Sequence, residues 1–344
     1  MMATVMMGCQ HINFHDRIAL LDSIKSCGKE KNFRMAIRIH SDIIERDFIA
    51  KDVYIATALI TMYARCGALT KARQVLYELP SRKVASWNAL ITGYANLCYN
   101  HEVLHCFEKM HHQDGLSADA ISFVCCLKAC ASLGASQKGQ EVHAKIVKQE
   151  LLERDLLLGN ALIDMYVNCG LVSRAREVFD NLPMKDVISW TSLLTGYAHL
   201  GECEEVFRTF DQMRNAGQKA HMLTLVSILN ACSHAGLIDE AYAYLSKDHG
   251  MTPSFEHYTC MVDMLGRAGQ LGNVVMMVMM MPFQPNLVTW ITFLGACKKW
   301  NNMELGKQAF VHIMQLDGKN VASSCVCISN IYSQMDLQDY VLAI

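Results

Sequence analysis

The chain has 344 residues, of which 52% are apolar and 19% are charged, a balance that excludes an intrinsically disordered polymer. Its formal net charge of −2 excludes the strongly basic surface that binds nucleic acid without sequence preference. The 15 cysteines are an odd number in a long chain and lie mostly in apolar phrases, which excludes a disulfide-rich secreted scaffold and predicts reduced core residues.

The first segment, residues 1–16, precedes the first helical pattern. It lacks the compact apolar run and the small-residue cleavage site of a secretory signal, and it contains too few Arg and Ser residues for a clear transit peptide. The sequence therefore predicts no cleaved targeting segment.

From Arg17 onward, the spacing of apolar residues predicts pairs of helices. The pattern is clearest in the pair that begins at Val84, where apolar residues recur at i, i+3, i+4 and i+7. They are Trp87, Leu90, Ile91 and Tyr94 in the first helix, and Val103, Phe107 and Met110 after the turn. Glycine is predicted in the turns of other pairs, because it adopts a left-handed conformation at the lowest steric cost. These glycines are Gly67, Gly170, Gly201, Gly236 and Gly269.

The helix pairs are repeats of one another. The phrase SWNALITGYA at 86–95 returns 103 residues later as SWTSLLTGYA at 189–198, and residues 57–80 return at the same offset as residues 160–183. Aligning the copies gives repeats whose lengths rotate through roughly 36, 31 and 36 residues. The repeats begin near Arg17, Val53, Val84, Ala120, Leu156, Val187, Met222, Phe255 and Leu287.

A helix pair of about 33 residues cannot bury its apolar face alone, so neighbouring pairs must stack. The predicted fold class is therefore all-α, an α-solenoid or superhelix of stacked antiparallel helix-turn-helix repeats whose first helices line one concave face. The most apolar stretch, residues 271–283, is interpreted as a buried helix, because spanning a bilayer takes about 20 residues.

The repeated phrases resemble those of the pentatricopeptide repeat family of plant organelle proteins. VASWNALITGYA, VISWTSLLTGYA and FEHYTCMVDMLGRAGQL carry the likeness. The rotating lengths are similar to the PLS subclass, which alternates standard, long and short repeats. The resemblance extends from about residue 17 to 344 and implies an array of about eight repeats over residues 17–286. The tetratricopeptide family has a similar fold, but its Trp, Leu-Gly and Tyr pattern is absent.

Residues 287–344 resemble the E-type motifs that follow the last repeats in RNA-editing factors. VTWITFLGACKKWNNMELG at 288–306 and SNIY at 329–332 carry this likeness, and the motifs are incomplete at the C-terminus. In such proteins a zinc-dependent cytidine deaminase domain, the DYW domain, often comes next and needs His-x-Glu and Cys-x-x-Cys. Neither occurs here, so we expect a truncated chain without a DYW deaminase domain, and no enzyme.

The resemblance also implies which residues select an RNA base, with positions counted from the first residue of each repeat. In the family, the fifth residue and the last residue of a repeat read one base together through directional hydrogen bonds. The pairs are Asn88 with Asp119, Asn160 with Asp186, Thr259 with Asn286, Thr57 with Lys83, and Thr191 with His221. The two Asn–Asp pairs imply uracil and the Thr–Asn pair implies adenine, while the other two imply at most a purine bias.

Other positions bear on this interpretation. Some fifth residues are apolar and cannot form directional hydrogen bonds; they are Val124, Val226 and Ile291. The second residue of most repeats is small or aliphatic and could sandwich a base, although packing between repeats explains it equally well. These residues are Ala85, Ile121, Leu157, Ile188, Leu223 and Val288.

Two Cys–His pairs, Cys27 with His40 and Cys130 with His143, could suggest zinc ligands. Each pair lacks a second pair at the required spacing, so packing between helices is the better interpretation. No phosphate-binding loop or catalytic triad is discernible, and we predict no catalytic residue, metal or cofactor.

The leading hypothesis is a sequence-specific factor that binds single-stranded organelle RNA and selects sites for cytidine-to-uridine editing. A deaminase-bearing partner would act in trans through residues 287–344, and neither DNA nor a membrane is expected as a partner. The resemblance places the protein in the mitochondrion or the chloroplast. Two alternatives stay open: a helical-repeat scaffold for protein partners, and a decayed family member with weak RNA binding.

Overall fold

The computed structural model describes residues 14–46, 52–246 and 253–316, and within these ranges the chain forms eighteen helices, α1–α18, and no strand. The first helices of the pairs are α1 Phe14–Glu30, α3 Val53–Arg65, α5 Val84–Asn96, α7 Ala120–Leu133, α9 Leu156–Asn168, α11 Val187–Leu200, α13 Met222–Ala235, α15 Phe255–Arg267 and α17 Leu287–Lys299. The second helices are α2 Phe33–Glu45, α4 Leu69–Glu78, α6 Asn100–His112, α8 Ser136–Lys148, α10 Val172–Asn181, α12 Cys203–Asn215, α14 Ile238–Ser246, α16 Leu271–Met280 and α18 Met303–Leu316.

The all-α repeat fold is confirmed. Eight of the nine first helices begin at the residue where the sequence places the start of a repeat. The exception is α1, which begins at Phe14 rather than Arg17, because neither glycine nor proline separates these two residues to stop the helix. The predicted division between a repeat array ending at 286 and E-type motifs from 287 stays a prediction, and SNIY at 329–332 lies outside the described residues.

The chain divides into two compact blocks between Pro183 and Met184, called here the N-terminal and C-terminal blocks. Within the N-terminal block the first helices α1, α3, α5, α7 and α9 pack in a row, each against the next. Within the C-terminal block α11, α13, α15 and α17 do the same. Each second helix packs on its own first helix, so each block is an α-solenoid of antiparallel helix pairs.

The core of each block consists of the apolar faces that the helical periodicity predicts. Trp87, Leu90 and Ile91 in α5 are fully buried, and Phe107 in α6 is 2% exposed. Neighbouring first helices also approach closely. A Cβ atom added to Gly93 in α5 would lie 2.5 Å from Cβ of Ala64 in α3, so this contact requires a residue without a side chain.

The turns between helices confirm the predicted role of glycine. The five predicted glycines have φ between 71° and 76°, in the left-handed region. In the repeat that begins at Val84 the matching residue is Cys98, which has φ 59° although it carries a side chain. The backbone path therefore stays the same where the residue type changes, and Cys98 bears a steric penalty that glycine avoids.

The prediction of a buried helix for residues 271–283 is correct for only one face. In α16, Leu271, Val274 and Met277 are buried, whereas the other face carries three exposed methionines. These are Met276, Met279 and Met280, which are 60%, 81% and 70% exposed. Composition hides this difference, because methionine counts as apolar on either face. Within the described ranges, no helix combines the length and the apolar character needed to cross a membrane.

The two Cys–His pairs contribute to packing between helices, as predicted. Nδ1 of His40 lies 2.9 Å from the hydroxyl of Tyr63, and Nδ1 of His143 lies 2.9 Å from the hydroxyl of Tyr166. Among the residues that the structure describes, no three His, Cys, Asp or Glu side chains are grouped as metal ligands.

The cysteines of the described ranges are all free thiols. Burial raises the pKa of Cys106 and of Cys232 to about 12, so both thiols stay protonated near neutral pH. Cys98 departs from the prediction of core cysteines, because it lies exposed in its turn.

Replacing Cys98 by Gly is expected to raise the free energy of unfolding by about 1 kcal/mol, because glycine has no Cβ atom to strain a left-handed residue. The matched change is Gly201→Ala, at the same turn position in the repeat that begins at Val187, where nothing lies within 4 Å of the added Cβ. That change is expected to lower the free energy by about 1 kcal/mol through backbone strain alone. Urea unfolding of both variants measures the effects, and an unchanged midpoint for Cys98→Gly would contradict the argument.

Candidate functional site

The polar fifth residues lie one turn into the first helices, in the row that each block forms. Asn88, Asn160 and Thr191 are 6%, 7% and 5% exposed, so most of each side chain is covered by neighbouring groups. Thr57 and Thr259 are half-buried. Buried polar groups need hydrogen-bond partners, and these partners determine what each side chain can still offer to a ligand.

The predicted partner residues, the last of each repeat, are N-caps of the next first helix. Asp119 accepts a hydrogen bond from the backbone N–H of Ser122 at 3.0 Å, and Asp186 accepts one from the N–H of Ser189 at 2.8 Å. His221 and Asn286 cap α13 and α17 in the same way. Lys83 precedes α5 but makes no side-chain capping bond. Four of these five residues therefore satisfy backbone donors that a helix start leaves unpaired.

Asn88 and Asp119 are in direct contact in the N-terminal block. Nδ2 of Asn88 donates to Oδ1 and Oδ2 of Asp119 at 2.9 and 2.8 Å. Because Asp119 is fixed by its capping bond, it holds the Asn88 amide in one place on the first-helix face. Residues that sequence resemblance pairs across 31 positions thus lie together in space.

A third residue joins this pair and was missed by the sequence analysis. The hydroxyl of Ser122, the third residue of α7, lies 2.5 Å from Oδ1 of Asn88 and 2.9 Å from Oδ1 of Asp119. Ser122 is fully buried. It therefore links the fifth residue of one repeat to the last residue of that repeat from the helix that follows.

The same link occurs twice in the C-terminal block. Oγ1 of Thr191 lies 2.9 Å from Oγ1 of Thr224, which lies 2.8 Å from Nδ1 of His221. In the repeat that begins at Phe255, Oγ1 of Thr259 lies 3.0 Å from Oγ1 of Thr289. The hydroxyl of Thr289 in turn lies 3.0 Å from Oδ1 of Asn286. In both cases a buried hydroxyl at the third position of the next first helix connects the two predicted residues.

The remaining two pairs are placed differently. Oγ1 of Thr57 lies 3.1 Å from Oγ of Ser86, the third residue of α5, but Lys83 is exposed and makes no capping bond. Lys83 therefore does not join these contacts as a capping residue. Asn160 belongs to the N-terminal block and Asp186 to the C-terminal block, and each is described within its own block.

The polarity of the third residue of a first helix follows the polarity of the fifth residue in the repeat before it. This pattern is visible in the sequence alone. Every polar fifth residue is followed by Ser or Thr at the third position of the next first helix: Ser86, Ser122, Ser189, Thr224 and Thr289. Val124, an apolar fifth residue, is followed instead by the buried Leu158. Comparing the two positions along the chain would have revealed the hydroxyl.

Val226 is another apolar fifth residue, and the third residue of the first helix that follows it is His257 in α15. Nδ1 of His257 accepts a hydrogen bond from the N–H of Ser254 at 2.9 Å, and Nε2 donates to the carbonyl of Met222 at 3.0 Å. Burial lowers the pKa of His257 and favours the neutral ring. His257 therefore connects α15 to the start of α13 and serves the fold.

The second residues of the repeats point away from the core. Ile121, Leu157, Ile188, Leu223 and Val288 are 54%, 59%, 56%, 61% and 58% exposed. Packing between repeats therefore covers less than half of each of these five residues. Large aliphatic side chains exposed at a regular interval provide flat contacts for a planar apolar group.

In the N-terminal block a groove of about 660 Å³ lies on the first-helix face, and Ile121 is part of its lining. Its lining includes the polar Thr57 and Asn88, the second residues Ala85 and Ile121, and the basic Lys29 and Arg65. The groove thus combines a directional polar group, an apolar contact and positive charge, which suits a planar polar ring attached to an anion.

The helix pair α17–α18 is the described part of the predicted E-type region. The ring of Trp290 stacks on His312 with the centroids 4.2 Å apart. Nε1 of Trp300 donates to the carbonyl of Gly266 at 2.7 Å, which fastens α17 to α15. The pair therefore continues the stacking of the C-terminal block.

Comparison with known proteins gives one family. The profile described as PPR repeat matches residues 54–84, 85–114, 160–187 and 188–218. The chain is similar to a mitochondrial pentatricopeptide repeat-containing protein of Arabidopsis thaliana, with 35% identity over 321 residues that cover 92% of this chain and 50% of that protein. It is also similar to the chloroplastic pentatricopeptide repeat-containing protein CRR2 of Arabidopsis thaliana, with 36% identity over 307 residues that cover 88% of this chain and 46% of CRR2. The chain spans about half the length of these relatives.

Among solved structures, the chain is similar to PPR10 in complex with an 18-nt psaJ RNA element. The TM-score is 0.74 and the identity 16%, over 87% of this chain and 45% of that chain. At this identity the likeness concerns the fold, a stack of helix pairs.

Replacing Asp119 by Ala is expected to lower the free energy of unfolding by about 1 kcal/mol, because α7 loses its N-cap and Asn88 loses a charged partner. The matched control is Lys83→Ala, at the same place before α5, where no capping bond exists. That change is expected to alter the free energy by less than about 0.5 kcal/mol. Urea unfolding measures both, and equal losses for the two variants would contradict the assigned role of Asp119.

Proposed function

Because the chain belongs to the pentatricopeptide repeat family, we propose that it binds single-stranded RNA along the rows of first helices. The observation that carries the proposal is the placement of an exposed aliphatic second residue near a polar fifth residue. The two lie on the same first helix for Leu157 with Asn160 and Ile188 with Thr191, and on neighbouring first helices for Ile121 and Asn88, which line one groove. Bases of single-stranded RNA are unstacked, so they can lie against apolar side chains while their edges form hydrogen bonds. One repeat would then contact one base.

The base preference follows from the pairs that the family resemblance implies. Asn88 with Asp119 and Asn160 with Asp186 are assigned to uracil, and Thr259 with Asn286 to adenine. Thr57 with Lys83 and Thr191 with His221 are assigned at most a purine bias. The direct bonds between Asn88 and Asp119 support the idea that the two residues act on one base.

The proposed biological role is site recognition for cytidine-to-uridine editing in the mitochondrion or the chloroplast. It is supported by the resemblance of residues 287–306 to E-type motifs and by the mitochondrial and chloroplastic relatives. A deaminase supplied by another protein would act at the selected base, and α17–α18 would be part of its docking region. The chain's own contribution is binding and positioning.

The binding face is tested by Ile121→Asp, which places a negative charge where a base and its phosphate would lie. Affinity for single-stranded RNA is expected to fall about tenfold or more, because the variant loses an apolar contact and adds repulsion. The matched control is Ile44→Asp on the second helix α2, since Ile44 and Ile121 are 56% and 54% exposed. Gel-shift titration with RNA from a randomised pool measures both, and an equal loss in the two variants would contradict the proposed face.

The absence of any RNA binding by the wild-type chain would contradict the proposed function itself. Binding of a peptide or a helical protein partner on the same face, in place of RNA, would instead favour a protein-interaction scaffold. Sequence-dependent RNA binding is the result that supports the proposal.

The base assignment is tested by Asn88→Thr. The base at this repeat is expected to change from uracil toward a purine, because a threonine hydroxyl replaces the amide that donates to a keto oxygen. Affinities for RNAs that differ only at that base give the preference, with Asn230→Thr on α13 as a control outside the fifth position. An unchanged preference for uracil would contradict the assignment.

A further inference from the structure

The hydrogen bonds around Thr259 determine which way its hydroxyl points. Oδ1 of Asn286 accepts the backbone N–H of Thr289 at 2.9 Å, so the amide oxygen and not the amide nitrogen faces Thr289. The hydroxyl of Thr289 lies 3.0 Å from the same oxygen and must donate to it. The single hydroxyl proton of Thr289 is thereby used.

Thr259 is the next group in this chain of bonds. Its Oγ1 lies 3.0 Å from Oγ1 of Thr289, which has no second proton to give. Thr259 must therefore donate to Thr289, and only the lone pairs of Thr259 remain for a ligand. A fifth-position threonine in this setting is a hydrogen-bond acceptor.

Thr191 has the same polarity. Nδ1 of His221 accepts the backbone N–H of Thr224, so this nitrogen carries no proton and accepts from the hydroxyl of Thr224 as well. Thr224 then accepts from Thr191 at 2.9 Å, and Thr191 also keeps only lone pairs.

Asn88 has the opposite polarity. A carboxylate only accepts, so the amide nitrogen of Asn88 must face Asp119 and the amide oxygen must face the hydroxyl of Ser122. The two N–H bonds of an amide diverge widely, whereas the two oxygens of one carboxylate lie close together. One hydrogen therefore serves both oxygens of Asp119, and the second N–H remains as a donor.

We propose that Thr224 and Thr289, the third residues of α13 and α17, are positioning residues that set the hydrogen-bond polarity of Thr191 and Thr259, the fifth residues before them. This inference rests on the proposed RNA binding and deepens it. At Asn88 the carboxylate of Asp119 fixes the amide as a donor toward a keto oxygen such as that of uracil, and Ser122 lies against the amide oxygen. Thr224 and Thr289 make Thr191 and Thr259 acceptors toward an exocyclic amino group such as that of adenine.

The test removes the amino group of adenine without adding a donor elsewhere on the ring. A single-stranded RNA is selected from a randomised pool on the wild-type chain, and each adenosine is replaced in turn by purine riboside, which lacks the exocyclic amino group and leaves N1 unprotonated. At the base that contacts the repeat of Thr259, the wild-type chain is expected to prefer adenosine about fivefold, the effect of one hydrogen bond. In Thr289→Val, which keeps the shape but lacks the hydroxyl, Thr259 can rotate to donate or accept, so the ratio is expected to approach one.

Two variants separate positioning from mere packing. Thr289→Ser keeps the hydroxyl and is expected to restore the preference for adenosine. Ser227→Ala removes a similar contact between hydroxyls, that of Ser227 with Thr195 at 2.9 Å, which involves no fifth residue, and is expected to leave the ratio unchanged. If Thr289→Val does not fold, as judged by its thermal unfolding, Thr224→Val tests the same argument at Thr191.

The possible outcomes are distinct. Retention of the full preference in a folded Thr289→Val or Thr224→Val chain that binds RNA would overturn the inference. Equal affinity of the wild-type chain for adenosine and purine riboside at every position would overturn it too, while leaving RNA binding intact. Failure of the wild-type chain to bind any RNA would overturn the proposed function and the inference with it.

Discussion

The contact between each first helix and the next is the interaction on which the rest of each block depends. A single helix pair has no core, so the apolar faces of α5 and its neighbours are buried only because the first helices lie side by side. The same contact brings the third residue of one helix against the fifth residue of the helix before it. The stability of each block and the arrangement of polar groups on its first-helix face therefore have one physical origin.

The last residue of a repeat links these two roles. Asp119 and Asn286 each satisfy a backbone donor at a helix start and contact the polar groups beside them. A residue with a capping duty cannot move freely, so its side chain presents a fixed oxygen to its neighbours. Lys83 makes no capping bond and is exposed. The last residue of the repeat that begins at Val53 is therefore held less firmly on the first-helix face than Asp119 in the next repeat.

Much of the fold could be predicted from the sequence, because a repeat offset and a 3.6-residue period determine helix pairs and their stacking. Side-chain direction at neighbouring positions was harder to predict. Ile121 and Ser122 are adjacent, yet the isoleucine is exposed and the serine is fully buried, since successive residues of a helix point about 100° apart. Polarity alone suggests the reverse. The exposure of three methionines in α16 was not predicted for a related reason. An apolar residue on an exposed face counts toward composition in the same way as one in the core.

The close contact between Gly93 and Ala64 has a consequence for distances along the row. Only the Ala64 methyl group lies between α3 and α5 at this point, and the Ala296 methyl group lies in the same way against Gly266 between α17 and α15. The step from Thr57 to Asn88 therefore depends on the contact of the Gly93 backbone with the Ala64 methyl group. A methyl group at Gly93 would lengthen that step, and under the proposed RNA binding the bases of one strand would then meet the two residues out of register.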